Sequence, residues 1–438
     1  MEKEQNDESN LVDELIKKFM EIYNSPLNFL NFLDTIPGEN KKKISENYKK
    51  LLSRKQYYDQ IIEEGWINKI LVKFYENASS SNWKLYKSIF DDIGICPFAE
   101  FIPLKDKKID LKYDDELFKM YIDESIYHQN KKKYDKIIRE NKVKQVALEL
   151  SGTNLWDSPV YTIRDICATE RPQFILSLCS YLAYRLSIGE IQDEIADYIV
   201  SKVQRGESFK EIFDNFVAHD LQTRLKFGKN IDEFCDFTKR DVPIGMNALL
   251  AFKRKKDYLL VIQKRSRTLS EAPGGYAVLP AAIHQHIIDV DKEKHLLNTL
   301  WREIYEELFG GEEVSGKTRH ISHDWYFKDF PPLEELRRQA TVSFTGAGVN
   351  LANGFFDISI LVIIPDENFF ENYCHKMKTS WESSDIDNPI ISTAEPEKIK
   401  SILRRDNWLA NSRIGLEQGL LKLNSLDKDR CKKIDSNK

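Results

Sequence analysis

The chain has 438 residues, of which 41% are hydrophobic and 31% are charged, and this length exceeds the roughly 100–200 residues of one typical domain. Its formal net charge of −5 provides no general attraction to phosphate backbones, so the composition disfavours a nucleic-acid partner. The acidic, polar start MEKEQNDESN and the lack of a long apolar run predict neither a secretory signal nor a membrane span.

The first 140 residues are predicted to form a helical N-terminal region. Apolar residues recur at three- and four-residue spacings in LVDELIKKFMEIY (11–23) and in YKKLLSRKQYYDQIIEEGWINKILVKFYE (48–76). The polar stretch NASSSN (77–82) interrupts this pattern, as expected of a loop. The role of the region stays open, because its sequence contains no convincing helix-turn-helix.

Residues 141–240 are predicted to form a connecting layer of mixed structure. VKQVALEL (143–150) and VYTIRDI (160–166) have the apolar, partly β-branched composition of strands. RPQFILSLCSYLAYRL (171–186) and EIQDEIADYIVSKVQ (190–204) have the periodicity of helices.

Residues 241–425 are predicted to form an α/β domain, followed by a frayed tail at 426–438. MNALLAF (246–252) and YLLVIQK (258–264) are two strands separated by a polar turn, which indicates a hairpin. A third strand is expected within GYAVLPAAIHQHI (275–287). Two further strands and two helices are predicted at 341–348, 355–365, 365–377 and 410–423. This order of elements predicts a sheet flanked by helices.

One predicted helix, over 293–309, concentrates carboxylates in the sequence REIYEEL. At about 100° per residue, its large apolar side chains share one face, and Glu303, Glu306 and Glu307 share the opposite, outward face. Carboxylates at these spacings repel one another by about a few tenths of a kcal/mol per pair. Arg302 relieves part of this repulsion, and a divalent cation would relieve more.

These carboxylates have two interpretations. Mg²⁺ prefers oxygen ligands and is commonly held by a few carboxylates together with waters and substrate phosphates. Such a site polarises a phosphoryl oxygen and activates a water. In the alternative, REIYEEL is the solvated face of an ordinary amphipathic helix. The surrounding sequence favours the metal site.

The pattern Arg-Glu-apolar-x-Glu-Glu over 302–307 resembles the end of the sequence box of the Nudix family of phosphoanhydride hydrolases. YLLVIQKRS (258–266) looks like that family's second strand, and GYAVLPAA (275–282) looks like the strand that leads into its glycine loop. The phrases RPQFILSLCSYLAYR, DVPIGMNALLAFK, LPAAIHQH and WREIYEEL are also similar to an uncharacterised group of bacterial proteins with a Nudix-like C-terminal half, over about 150–425.

The resemblance implies a fold, a metal and a set of site residues. The fold would be a Nudix-like α/β/α sandwich with a mixed sheet, and the activity a Mg²⁺- or Mn²⁺-dependent hydrolysis of a nucleoside-diphosphate-linked substrate. The implied catalytic residues are Arg302, Glu303, Glu306 and Glu307, with the three glutamates as metal ligands and Arg302 orienting them. Glu382, in a late loop, is the candidate auxiliary base, and a plain surface acid is the alternative.

Departures from the family pattern favour a second interpretation. Ala281 and Ala282 stand where the family has glycines, and alanine adopts positive φ less readily. Lys294 stands where the family has a glutamate, with Glu293 one position out of register. In this interpretation the domain no longer hydrolyses and binds a nucleotide as a sensor coupled to the N-terminal region, a role that would suit nucleotide-based antiphage signalling. The intact group of three glutamates favours the hydrolase, and the sensor stays the alternative.

Two histidine pairs are weaker candidates. His284 and His286 alternate on a predicted strand, where they can meet a metal or a phosphate, or form an ordinary half-buried, hydrogen-bonded pair. His320 and His323 have a spacing compatible with metal binding but no second cluster. The glycines of FTGAGVNLANG (344–354) are interpreted as a loop between strands rather than a phosphate cradle.

The expected partner is a nucleotide-type small molecule, without a membrane or a nucleic acid, and a homo-oligomer stays open. Six cysteines without a CxxC pair predict neither a zinc knuckle nor a disulfide framework. Reduced thiols in a cytoplasmic protein are therefore expected.

Overall fold

The computed structural model of the chain describes residues 39–76, 80–104, 109–111, 121–122, 124–150, 153, 155–167, 173–266, 269, 274–288, 290–311, 324–377 and 390–427. The predicted helix over 11–23 and the predicted tail after residue 427 lie outside this part of the chain. Within it, the chain contains both helices and strands. The main sheet is mixed, and the N-terminal region is largely helical. The predicted α/β class is thus confirmed.

The N-terminal region contains the predicted helices and, between them, strands that were not predicted. The helices are α1 (Glu39–Glu63), α2 (Trp66–Tyr75) and α3 (Glu124–Glu140). The strands are β1 (Trp83–Lys87), β2 (Ile95–Phe101), β3 (Ile109–Leu111) and β4 (Tyr121–Ile122). β1 and β2 are strands of the main sheet, and their residues Leu85 and Phe101 are buried in the main apolar core.

The middle layer differs from its prediction at two elements. It contains α4 (Lys142–Leu150), β5 (Pro159–Cys167), β6 (Gln173–Ser180), α5 (Tyr181–Leu186), α6 (Glu190–Val203), α7 (Phe209–Asp214), α8 (Gln222–Phe227) and α9 (Ile231–Phe234). The predicted strand over 143–150 is a helix, and the first half of the predicted helix over 171–186 is a strand. β6 pairs with β5 and β4 in a small sheet, and Ser180 then begins α5 by accepting a hydrogen bond from the Ala183 amide.

The C-terminal part contains the predicted strands and helices. They are β7 (Ile244–Lys253), β8 (Tyr258–Lys264), β9 (Tyr276–Val278), β10 (Ala281–Ile283), α10 (Val290–Glu293), α11 (Leu296–Glu303), α12 (Trp325–Asp329), α13 (Pro331–Gln339), β11 (Thr341–Asn350), β12 (Phe356–Ile364), α14 (Phe369–Tyr373), β13 (Ile390–Ser392), α15 (Pro396–Leu403) and α16 (Ala410–Leu426). The predicted hairpin is confirmed, because β7 and β8 pair antiparallel around a short turn.

The main sheet runs in the order β1-β2-β11-β12-β7-β8-β13, with β3, β10 and β9 added to β11, β7 and β8. β12 and β7 are parallel neighbours, whereas the other adjacent strands along this path are antiparallel. Met246, Ala248 and Leu250 of β7 face one apolar core, and Leu249 and Ala251 face a second. The central strand is therefore covered on both faces, which explains its nearly continuous apolar sequence.

The glycines of 344–354 serve packing, so their prediction as a loop between strands is wrong for β11. A side chain at Gly348 would come within 2.2 Å of the Ala99 carbonyl oxygen on β2, and one at Gly346 within 2.1 Å of Gln418 on α16. Their missing side chains let β2 pair with β11 and let α16 lie on the sheet.

Two features expected from the composition concern membrane spans and cysteines. None of their helices combines the length with the apolar character that crossing a bilayer requires. The five cysteines in this part of the chain are free thiols: Cys96, Cys167, Cys179, Cys235 and Cys374.

Candidate functional site

The carboxylate-bearing segment is not the single regular helix that was predicted over 293–309. It is divided into α10 and α11, with the ring of His295 accepting a hydrogen bond from the Leu297 amide at 3.3 Å at the start of α11. After Glu303, the residues Ile304–Leu308 form a turn of π-helix. Such turns inside helices are frequent at functional sites. Because this turn is wider than an α-helical turn, Glu306 and Glu307 point in other directions around the helix axis than a regular helical wheel predicts.

The carboxylates are buried, so the prediction that they face outward is wrong. Glu303, Glu306 and Glu307 are 9%, 8% and 2% exposed, and Arg302 is 4% exposed. A solvated helix face would leave these side chains in water. We call these four residues the carboxylate cluster.

Arg302 is the cation at the centre of the carboxylate cluster. Its Nη2 donates to Glu303 Oε1 at 2.8 Å, and its Nε lies 3.8 Å from Glu306 Oε1. Burial alone would lower the pKa of Arg302, but the carboxylates of Glu303 and Glu306 outweigh it and hold that pKa above its ordinary value. One guanidinium thus orients two carboxylates.

Glu307 is held by the sheet rather than by Arg302. Gln263 on β8 donates from Nε2 to Glu307 Oε2 at 2.9 Å, and the Ala281 amide lies 3.4 Å from Oε1. Ala281 pairs with Asn247 as part of β10, so alanine at this position adopts ordinary strand geometry. The role of Gln263 was missed, although a polar amide within the otherwise apolar run of YLLVIQK was a usable signal, and the structure shows that this side chain is fully buried.

Glu293 reaches the same region despite its shifted register. Its Oε2 accepts hydrogen bonds from the amides of Ile287 and Ile288, both at 2.8 Å, and lies 3.0 Å from His286 Nδ1. Glu293 and Arg302 also line one cavity of about 10 Å³, a volume close to that of a single water site. Glu293, which is adjacent to the position where the family has its glutamate, therefore lies beside the same cavity as Arg302.

His284 and His286 are hydrogen-bonded structural residues. His284 is fully buried, with Nδ1 2.7 Å from Thr299 Oγ1 and Nε2 3.1 Å from the Lys294 carbonyl oxygen. This pattern requires a proton on Nε2, because the Lys294 carbonyl can only accept. The interpretation as a hydrogen-bonded pair is confirmed, and His284 is more deeply buried than predicted.

Acidification is expected to destabilise the protein through His284. Burial lowers the pKa of His284 from 6.5 to about 3, so between these values the unfolded chain binds a proton that the folded chain does not. The free energy of unfolding should therefore fall by up to about 1.4 kcal/mol per pH unit below the unfolded-state pKa. Urea unfolding of the wild-type protein and of His284→Gln between about pH 7 and pH 5 tests this.

In that experiment the His284→Gln variant should show the shallower pH dependence. His375→Gln, at an exposed position, is the matched control and should keep the wild-type slope. Equal slopes in all three proteins would contradict the assignment to His284.

A metal site requires several ligand atoms around one position. Among the described residues, no group of three or more His, Cys, Asp or Glu side chains is arranged to hold a metal ion. Mg²⁺ is often bound by only one or two protein carboxylates plus substrate phosphates, a mode that needs no group of three protein ligands. The assignment of Glu303, Glu306 and Glu307 as metal ligands stays a prediction. Glu382, His320 and His323 lie outside the described residues.

Comparison of the sequence with protein-family models gave no match. Comparison with curated proteins gave no match either. The geometry of the carboxylate cluster and the motif that contains it are therefore the features that indicate a function.

Proposed function

We propose that the chain is a Mg²⁺-dependent hydrolase of a nucleoside-diphosphate-linked substrate, with a Nudix-like domain in its C-terminal part. The observation that carries this proposal is the buried Arg302, which contacts Glu303 and Glu306 next to an anchored Glu307. Burying several carboxylates around one guanidinium is costly in free energy, which favours a role beyond packing.

The residues of the cluster would divide the work. Arg302 orients Glu303 and Glu306, while Gln263 and the Ala281 amide fix Glu307, so the carboxylates are held before a substrate arrives. Bound Mg²⁺ would supply the polarisation of a phosphoryl oxygen and the activation of a water. Of the two carboxylates near Arg302, that of Glu306 is the more distant, at 3.8 Å from Nε, whereas that of Glu303 lies 2.8 Å from Nη2.

A nucleotide sensor without turnover is the second candidate. Both carboxylate oxygens of Glu307 lie near N–H groups, and Ala281 lies in a strand where the Nudix pattern has a glycine loop. These features favour a static acidic centre over one that binds and releases a metal. Ligand binding would then be the whole activity of the domain.

The two candidates are separated by a substrate panel. The full chain is incubated with Mg²⁺ or Mn²⁺ and with nucleotide sugars, ADP-ribose, dinucleoside polyphosphates, NAD or cyclic oligonucleotides, and released nucleotide and phosphate are measured. Glu306→Gln and Glu307→Gln should each lower turnover by about a hundredfold or more, as for removal of a preorganised electrostatic group. Glu371→Gln, on the exposed side of α14, is the control and should retain activity.

Each outcome decides between the candidates. Turnover that disappears in both glutamine variants supports the hydrolase, and binding without turnover supports the sensor. If the wild-type protein neither binds nor hydrolyses any member of the panel, the carboxylate cluster is a structural ion network and the proposal is wrong.

A further inference from the structure

A cavity of about 360 Å³ lies where the N-terminal helices meet the C-terminal part. One wall is formed by α1, including Tyr58 and Ile61, and by the adjoining ends of α2 and α6. The lining also includes Asn350, Ala352 and Asn353 at and just after the end of β11, and residues 406–410 at and just before the start of α16. This volume lies within the range of small-molecule sites, about 300–1,000 Å³. The lining residues and the carboxylate cluster do not overlap.

Four of the six charged side chains that line this cavity, Arg54, Arg185, Asp193 and Asp406, are held in ion pairs, either with each other or with the neighbouring Asp197 and Lys69. Arg54 contacts Asp193 at 2.9 Å and binds Asp197 through two hydrogen bonds of 2.8 and 2.9 Å. Arg185 binds the same Asp193 at 3.1 Å, and Asp406 binds Lys69 at 2.9 Å. The two guanidiniums are thus engaged by carboxylates, and a polyanionic ligand would have to displace them. The charge pattern favours an uncharged ligand.

The remaining polar lining consists largely of carboxamides in fixed orientations. The Asn68 amide nitrogen donates to the carbonyl oxygens of Asp406 at 3.3 Å and Trp408 at 3.1 Å, which leaves its side-chain oxygen as the acceptor it offers. The Asn350 oxygen accepts from the Ala352 amide at 3.0 Å, which leaves its NH₂ group as the donor it offers. Asn407 adds a third carboxamide to the lining.

An aromatic side chain accompanies these amides. Trp408 is among the lining residues, but its side chain is 2% exposed and belongs to the second apolar core, where its indole N–H donates to the Ile402 carbonyl oxygen at 2.7 Å. Carboxamide donors and acceptors beside this rigid wall match the hydrogen-bonding edges of a planar heterocycle.

We propose that this cavity binds an uncharged nucleoside or nucleobase, with its ring near Trp408 and its edges hydrogen-bonded by Asn68, Asn350 and Asn407. Such a ligand touches α1 and α2 on one side and residues 406–410 on the other, so it stabilises the contact between the N-terminal helices and the C-terminal part. The proposal does not depend on whether the carboxylate cluster hydrolyses a substrate.

The proposal is tested by equilibrium dialysis of the full chain with adenosine, guanosine, cytidine and uridine. Two variants change the cavity: Asn407→Leu removes a carboxamide, and Ala352→Leu fills space. We expect saturable binding of at least one nucleoside, weakened about tenfold or more by each variant. Asn372→Leu, the same substitution at an exposed position on α14, should bind as the wild-type protein does.

Three results would overturn the proposal. The first is that none of the four nucleosides binds, and the second is that neither cavity variant weakens the binding. The third is that the nucleoside triphosphates, dialysed in the same way, bind while the nucleosides do not. Melting curves of each variant report folding, and the second cavity variant decides if the first does not fold. Glu306→Gln should leave nucleoside binding unchanged, so failure here is distinct from failure of the hydrolase proposal.

Discussion

Asp193→Asn is expected to lower the free energy of unfolding by about 3–5 kcal/mol, the scale for removing one partner of a buried ion pair. Asp193 on α6 receives Arg185 from α5 and Arg54 from α1, and the side chain of Arg185 is only 3% exposed. The neutral amide would leave a buried guanidinium without its carboxylate. The ion pair between Arg54 and Asp193 therefore joins the N-terminal helices to the middle layer.

The charge of Asp193 is set by its partners. Burial alone would raise the pKa of this carboxyl, but Arg185 and Arg54 outweigh it and hold that pKa below its ordinary value of 3.8. A depressed carboxyl pKa gives stability that is complete above the unfolded-state value and is lost as the pH falls below it. In Asp193→Asn this acid-dependent contribution should be absent.

Urea denaturation followed by circular dichroism measures both effects. Asp92→Asn is the matched control, because Asp92 pairs with Arg404 at the surface, where both side chains are about half exposed. That variant should unfold at the same urea concentration as the wild-type protein. An Asp193→Asn protein as stable as the control would show that the buried guanidiniums find other partners.

Local periodicity predicted the elements whose environment is uniform along their length. The strands β7 and β8 are apolar because the core covers them, and α1 and α6 show helical spacing because one side packs. β1 and β2 pair with each other across a short connection, but their place in the main sheet comes from the distant pairing of β2 with β11, where Gly348 lies opposite Glu100. A pairing of that range leaves no local signal, and only the missing side chain at Gly348 makes room for it.

The two errors in the middle layer have a common physical cause. Residues 143–150 and 173–180 are short apolar runs, and a short apolar run fits a buried strand and a buried helix equally well. The first became α4, which packs on α1, and the second became β6, which lies between β5 and β4. In both cases the choice was made by partners that the sequence does not indicate.

The candidate site was predicted in composition but not in environment. The motif indicated that Arg302 and the glutamates act together, and Arg302 does contact Glu303 and Glu306. A helical wheel separates an apolar face from a polar one, but it does not tell whether another element covers the polar face. Here β8 and β10 cover it, with Gln263 and Ala281 reaching Glu307.

Arg302→Met is expected to lower the free energy of unfolding by about 3–5 kcal/mol, because it leaves Glu303 and Glu306 buried without their cation. Arg337→Met is the control, since its pair with Glu334 is partly exposed and should contribute less than about 1 kcal/mol. Thermal unfolding of both variants and of the wild-type protein measures these differences.

The same variant distinguishes a metal-binding cluster from a structural one. If the carboxylates bind Mg²⁺, removing the competing guanidinium strengthens that binding, and a ligand that binds only the folded state raises its stability. Added Mg²⁺ should therefore raise the melting temperature of Arg302→Met more than that of the wild-type protein, and EDTA should reverse the effect. If Mg²⁺ changes neither melting temperature, both without substrate and with the member of the substrate panel that the wild-type protein binds, Arg302 is itself the cation that the carboxylates require, and hydrolysis through a metal at this cluster is contradicted.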